Sequence, residues 1–258
     1  MNSRQMARYH SQNKRISARY GRYPMTRQGT IVLGSLPASG VYGRPGNSEV
    51  KGCDYSLAVS PILATTNTNG SEVTLNLVAP GTGSYNRVGR KIRMKSLRLK
   101  GNFVYSYTRE VTTGDLKAAV IRMVIVYDQQ PSGAVPTYDT VFGRTVQDGT
   151  ESTSYLDPIK YDSMGRFKIL KECVFTMNPQ LWNNEGGTTD LTQIEAHFDE
   201  YIKLKGLETV YSGQSSPCTI ADLSTGGLYV YFRCDQNTTG TAVASIGSNS
   251  MARLRYYD

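Results

Sequence analysis

Acidic residues are missing from the first 48 positions of this 258-residue chain. Glu49 is the first carboxylate, and Arg4, Arg8, Lys14, Arg15, Arg19, Arg22, Arg27 and Arg44 all precede it. Of the 29 bases, that leaves twenty-one beyond the leader, against 21 acids. The whole net charge of +8 therefore sits at one end, grafted to a neutral body. Segregated charge of this kind reads as a polyanion-binding arm. Histidine is scarce too, with only His10 and His197, and neither has a cysteine or second histidine at zinc spacing. The four cysteines, Cys53, Cys173, Cys218 and Cys234, form no CxxC pair and read as reduced thiols in core or strand positions. No apolar run approaches the ~18–20 residues of a membrane helix, and no apolar segment follows the basic N-terminus to make a secretory signal. The triplets at Asn69 and Asn237 then read as loop residues.

The motifs of catalysis are absent as well. There is no GxSxG elbow and no GxxxxGK[ST] phosphate loop. GTGSYN, Gly81–Asn86, fails the dinucleotide pattern at its last position. Asp199 and Glu200 are adjacent, so on a strand they point to opposite faces and cannot work as a pair. The chain is expected not to be an enzyme and to need no cofactor. A divalent cation held between carboxylates at a subunit contact is left open.

What is present is β-type text. From Val50 onward, short strand-like runs alternate with turn clusters. SLAVSPILAT, VTLNLVA, KIRMKSLRLKGNFVYSY, AAVIRMVIVY, RFKILKECVFTM, AHFDEYIKLKGLETVY, LYVYFRC and MARLRYY read as strands. LYVYFRC places Leu228, Val230 and Phe232 on one face and Tyr229, Tyr231 and Arg233 on the other. VIRMVIVY is apolar nearly throughout, as a strand covered on both faces would be. YDTVFG, from Tyr138, suggests a short helical turn. About eight strands with long loops predict an all-β antiparallel sandwich or barrel, with a jelly roll among the candidates. Residues 1–30 are poor in aliphatics and expected flexible, and residues 34–49 read as a Gly/Pro/Ser linker.

A second basic stretch, RVGRKIRMKSLRLKG, runs from Arg87 to Gly101. Lys91, Arg93 and Lys95 alternate with apolar residues, and so do Arg98 and Lys100, but the phase slips at Ser96-Leu97. A β-bulge there would keep all five bases on one face. That face is either an ordinary solvated surface with salt bridges or a ridge toward nucleic acid or a neighbouring subunit. In the leader, Tyr9, Tyr20 and Tyr23 are interleaved with the bases. Cations there would release counterions from phosphates, and tyrosines would stack on unpaired bases. That combination suits sequence-independent packaging of a single strand. Lys14-Arg15 and Arg90-Lys91 are weak nuclear-import signals by themselves.

The basic leader is followed by EVKGCDY, GTGSYNRVGRKIRMKSLRLKG, AAVIRMVIVYDQQPSGAVPTYDTVF, GGLYVYFRC and MARLRYYD, in that order. In pattern and order the chain resembles the single-jelly-roll capsid protein of small circular Rep-encoding single-stranded DNA viruses, the circovirus-like group. That coat type is similar to the coat of satellite tobacco necrosis virus. The resemblance implies a basic arm over residues 1–48 and an eight-stranded antiparallel jelly-roll shell domain over 49–258. It implies sixty copies in a T=1 icosahedral shell around single-stranded DNA. The virion is then its location, with the host nucleus during assembly, and a host receptor and import factors are further partners. Arg4, Arg8, Lys14, Arg15, Arg19, Arg22 and Arg27 take the place of the family's arginine-rich arm, though they are sparser. Sixty such arms carry on the order of 480 positive charges against one negative charge per nucleotide. Strand bases such as Arg93 and Lys95 would have to help neutralise the genome. The alternatives are a non-capsid β-barrel that binds single-stranded nucleic acid and the coat of a small RNA satellite virus.

Overall fold

The computed structural model describes residues 50–63, 71–110, 118–145, 151–178, 189–235 and 242–258. The seven leader bases singled out above lie outside the described residues. Twelve strands occur among the described residues: β1 Val50–Ser56, β2 Glu72–Thr74, β3 Lys91–Glu110, β4 Ala119–Asp128, β5 Arg144–Thr145, β6 Glu151–Ser152, β7 Phe167–Met177, β8 Thr189–Tyr211, β9 Leu223–Thr225, β10 Gly227–Cys234, β11 Ala242–Ile246 and β12 Met251–Tyr257. One helical turn, α1 Tyr138–Val141, falls where YDTVFG suggested it.

The strands pair antiparallel in two main sheets. One has the order β1-β12-β3-β8-β9, with β11 also on β3, and the other β2-β10-β4-β7. From β1 to β4, and again from β7 to β8 and from β9 to β11, the chain crosses between the two sheets, so most pairings join distant parts of the chain. The protein is all-β, and this arrangement is consistent with a jelly roll.

Period-2 alternation builds the layer between the sheets. From the first sheet, Leu97, Leu99, Phe103, Ile202 and Leu254 point inward; from the second, Ile121, Met123, Ile125, Val230 and Phe232 meet them. Phe103 is a hub, with its ring 4.8 Å from Phe198, 5.0 Å from Phe175 and 6.0 Å from Phe232. The outer face of the second sheet is covered too. Val124, Val126, Tyr229 and Tyr231 pack against Tyr138, Val141, Phe142 and Phe167. β4 and β10 are therefore buried on both faces, as the apolar run in β4 predicted.

Two buried arginines serve that cover. Arg122 donates to the Asp157 carbonyl at 2.7 Å and to Glu172 at 2.8 Å, and lies 4.8 Å from the Phe142 ring centroid. Arg233 donates to Glu72, and both side chains are almost fully buried. The face of β10 that carries Tyr229, Tyr231 and Arg233 is thus an interior face, because Tyr138, Val141, Phe142 and Phe167 lie over it.

Two strand boundaries differ from the sequence reading. β1 ends at Ser56, where SLAVSPILAT begins; residues 57–63 are not strand, and Leu57, Val59 and Ile62 enter the core from irregular backbone. Register with β12 from Val50↔Tyr257 to Ser56↔Met251 outweighs the weak strand propensity of Gly52 and Asp54. In VTLNLVA the strand stops at Thr74 because the buried Asn76 amide takes over the hydrogen bonding. It donates to Gly226 O (2.7 Å) and Thr209 Oγ1 (2.9 Å) and accepts from Leu228 N (3.0 Å). Asn76→Leu should lower unfolding stability by about 2–3 kcal/mol, since it strands buried partners; urea denaturation of the full chain measures this. All four cysteines are free thiols. No helix among the described residues is long and apolar enough to cross a membrane.

Candidate nucleic-acid interface

The first sheet keeps its outer face open. Strand alternation sends Lys91, Arg93, Lys95, Arg98 and Lys100 outward on β3, and all five are exposed. The expected phase-restoring bulge exists, one residue earlier than the pattern placed it. Ser96 pairs with Arg255 and Met94 with Tyr256, so Lys95 is the extra residue against β12. Against β8, Met94 pairs with Leu207 and Ser96 with Lys203, so Lys95 faces three residues, Leu204 to Gly206. Lys205 there has φ 51° and Gly206 φ 82°, the left-handed region that lets the strand loop outward.

Neighbouring strands add to this face. β8 contributes Lys203 and Lys205, and β12 contributes Arg253 and Arg255, all exposed. With the five bases of β3 that makes nine, against four carboxylates on the described part of the face, Asp54, Glu195, Asp199 and Glu208.

Register decides which bases are paired. Arg253 forks onto Asp54 with both contacts at 2.7 Å, and Arg98 forks onto Asp199 at 2.8 and 2.6 Å. The two arginines are register partners across β12 and β3, so two like charges stand side by side, each held by a carboxylate on its outer flank. Lys91 (2.6 Å) and Arg93 (3.0 Å) share Glu208. Lys95 rests over the Tyr257 ring, 5.4 Å from its centroid. Lys95, Lys100, Lys203, Lys205 and Arg255 make no ion pair among the described residues. Four of these five ring the bulge. A depression of about 940 Å³ adjoins it, lined by Ser96, Tyr201 and Arg255 together with the two forked pairs, Arg98 with Asp199 and Arg253 with Asp54, and Tyr201 is 57% exposed.

Of the bases singled out in the sequence for nucleic acid, Arg93 and Lys95 both lie on this face, one sharing a carboxylate and the other without one. The sequence reading missed Lys203, Lys205, Arg253 and Arg255. Each alternates with apolar neighbours in its own strand, which was a usable signal, but nothing local says that β8 and β12 flank β3. His197 is an exposed strand residue. Asp199 and Glu200 diverge as adjacency required: one holds Arg98, and the other meets Lys171 of β7 at 3.2 Å.

The forks set a pH dependence. Arg253 holds the Asp54 carboxyl below its usual range, Arg98 does the same for Asp199, and Lys91 then Arg93 for Glu208. Lowered folded-state values contribute stability above the ordinary carboxylate range and lose it as pH falls through the lowered values. Protonation also strips the guanidinium groups of their counter-charges. At fixed salt, oligonucleotide binding should therefore strengthen below about pH 4 while thermal stability falls. Asp54→Asn with Asp199→Asn should strengthen binding already at pH 7. Fluorescence anisotropy across the pH range checks both.

Among the described residues no group of three or more His, Cys, Asp or Glu side chains could hold a metal ion. The molecule is thus an antiparallel β-sandwich with one covered outer face and one cationic, open one. Residues 3–258 match the geminivirus coat protein/nuclear export factor BR1 family, and the chain belongs to that family. It is a viral coat protein of the circular single-stranded DNA virus type, which agrees with the resemblance seen in its sequence. No curated protein matches it. A chain in the structure of infectious bursal disease virus Gt strain is similar at 11% identity, over 82% of this chain and 41% of that one, with a TM-score of 0.13. This chain spans about two fifths of that one's length, and a likeness so slight carries no argument.

Proposed function

We propose that this coat protein is the subunit of a T=1, sixty-copy icosahedral shell that packages single-stranded DNA. Residues 1–48 are its basic N-terminal arm and linker and residues 49–258 its shell domain. Strands β1, β12, β3 and β8 facing β2, β10, β4 and β7 are the eight strands of a single jelly roll, and β5, β6, β9 and β11 decorate it. The observation that carries this reading is family membership across residues 3–258, a span that takes in the acid-free leader. The open sheet face, with nine bases to four carboxylates, supports polyanion contact by the body as well. Exposed Tyr85, Val88, Tyr161, Met164 and Val174 are apolar surface that neighbouring copies would cover. Arg4, Arg8, Lys14, Arg15, Arg19, Arg22 and Arg27 hold the genome, assisted by Arg93 and Lys95, and assembly takes place in the host nucleus.

A second reading is favoured by the family description, which joins coat proteins to a nuclear export factor. Under it, the chain carries single-stranded DNA as an open, reversible complex. Nuclease treatment of the expressed full-length protein separates the two. Closed particles by electron microscopy with nuclease-resistant DNA support the shell. Nucleic acid that is fully digested, with no particle at any salt or pH, rejects it.

A further inference from the structure

We propose that the bulge between β3 and β8 is a nucleotide subsite, in which Tyr201 stacks on one base of a single strand and Lys203, Arg255 and Lys95 hold its flanking phosphates. The inference rests on the packaging reading above and names where on the shell domain the strand is gripped. Four observations meet at this place. First, bases without a carboxylate partner among the described residues gather there, whereas the rows on either side are forked or shared with Asp54, Asp199 and Glu208. A polyanion arriving at the bulge displaces no internal ion pair. Second, Ser96 stands between Arg255 and Lys203 in register. Its small buried side chain leaves a floor between two cations that lie two strand spacings apart, about 10 Å at the backbone. Third, Tyr201 projects beside them, mostly exposed, into the depression. A cationic track with an adjacent free aromatic ring is the combination that binds single strands without reading sequence.

Fourth, Lys205 is the one non-glycine residue at positive φ among the described residues. Backbone held in a sparsely populated region points to a local function that over-determines it. Here the left-handed backbone of Lys205 and Gly206 makes room for the bulge and leaves Lys205 exposed on the same side as Lys203. The ligand class is a single-stranded polynucleotide. Neither stacking nor phosphate contact distinguishes DNA from RNA, so dT12 and rU12 should bind alike.

The test uses the full-length chain, labelled dT12 and anisotropy over a range of salt. Tyr201→Ala should weaken dT12 binding about tenfold and leave a duplex of equal phosphate number unaffected, while Tyr201→Phe binds as the parent does. Lys203→Gln with Arg255→Gln should lower the log–log salt slope by about 1.4, whereas Lys168→Gln, on the other sheet, leaves it unchanged. All these positions are exposed, so folding is retained. If Tyr201→Ala and the double variant bind as the parent does while the parent still protects DNA from nuclease, the subsite is wrong and the arm alone holds the strand. If the parent itself neither binds dT12 nor protects DNA, the packaging reading fails and takes the subsite with it.

Discussion

Particles built from a chain in which Arg4, Arg8, Lys14, Arg15, Arg19, Arg22 and Arg27 are all glutamine are expected to be empty. Those seven residues carry seven of the eight net charges, and the remainder of the chain is nearly neutral. Each phosphate contact by a cation releases condensed counterions, with a log–log salt slope of roughly 0.7 per contact for a single strand. Losing seven contacts should flatten the slope by about 5, which removes most of the affinity at low salt. Folding should be unaffected, because Leu97, Phe103, Ile125 and Phe232, which make the core between the sheets, all belong to the β-rich body. The ratio of absorbance at 260 and 280 nm, nuclease-protected DNA and electron microscopy read the outcome. Shells that form and still carry a full load of DNA would show that the arm is not the packaging element.

The second large effect is on stability. Glu72→Ala should destabilise the full chain by about 3–5 kcal/mol, a large part of the ~5–15 kcal/mol typical of a folded domain. Glu72 lies on β2 and Arg233 on β10, and neither side chain reaches water. Arg233 also donates to the Phe232 carbonyl at 2.8 Å and sits 4.9 Å from the Tyr138 ring centroid. Removing the carboxylate takes the Glu72 charge away from a fully buried guanidinium. Replacing both partners, Glu72→Leu with Arg233→Met, should recover most of the loss, because a well-packed apolar pair is often as stable as a buried ion pair. Urea or thermal unfolding of the parent, single and double variants decides it. A single variant within 1 kcal/mol of the parent would mean that Arg233 is solvated by local opening of the cover.

The behaviour of Arg233 shows where sequence reasoning stops. In LYVYFRC the alternation is correct, and Leu228, Val230 and Phe232 do share the inner face. The pattern did not say what lies against the other face, and Tyr229, Tyr231 and Arg233 are buried there. Period 2 assigns residues to faces but cannot say what lies against each face. That depends on Tyr138, Val141, Phe142 and Phe167, which pack over the sheet. β4 was legible because its own residues are apolar on both sides. β1 was not, since Gly52, Cys53 and Asp54 become a strand only when β12 offers them a ladder.

The candidate site divides in the same way. Net charge is a sum over residues, and no folding changes it; the segregation of +8 into the first 48 positions is therefore a property of the sequence alone. A bulge in β3 was conditional in the sequence, since five bases share one face only if the phase slips once, and the pairing with β12 and β8 supplied the slip. Which cations are held by carboxylates was decided by tertiary structure. Arg98 meets Asp199 and Arg253 meets Asp54 across strands 101 and 199 residues apart in the chain, while Lys203 and Arg255 are left without ion-pair partners among the described residues. Coulomb attraction at a few ångströms depends on register between strands, and register between strands distant in sequence is set by the packing of the whole sandwich.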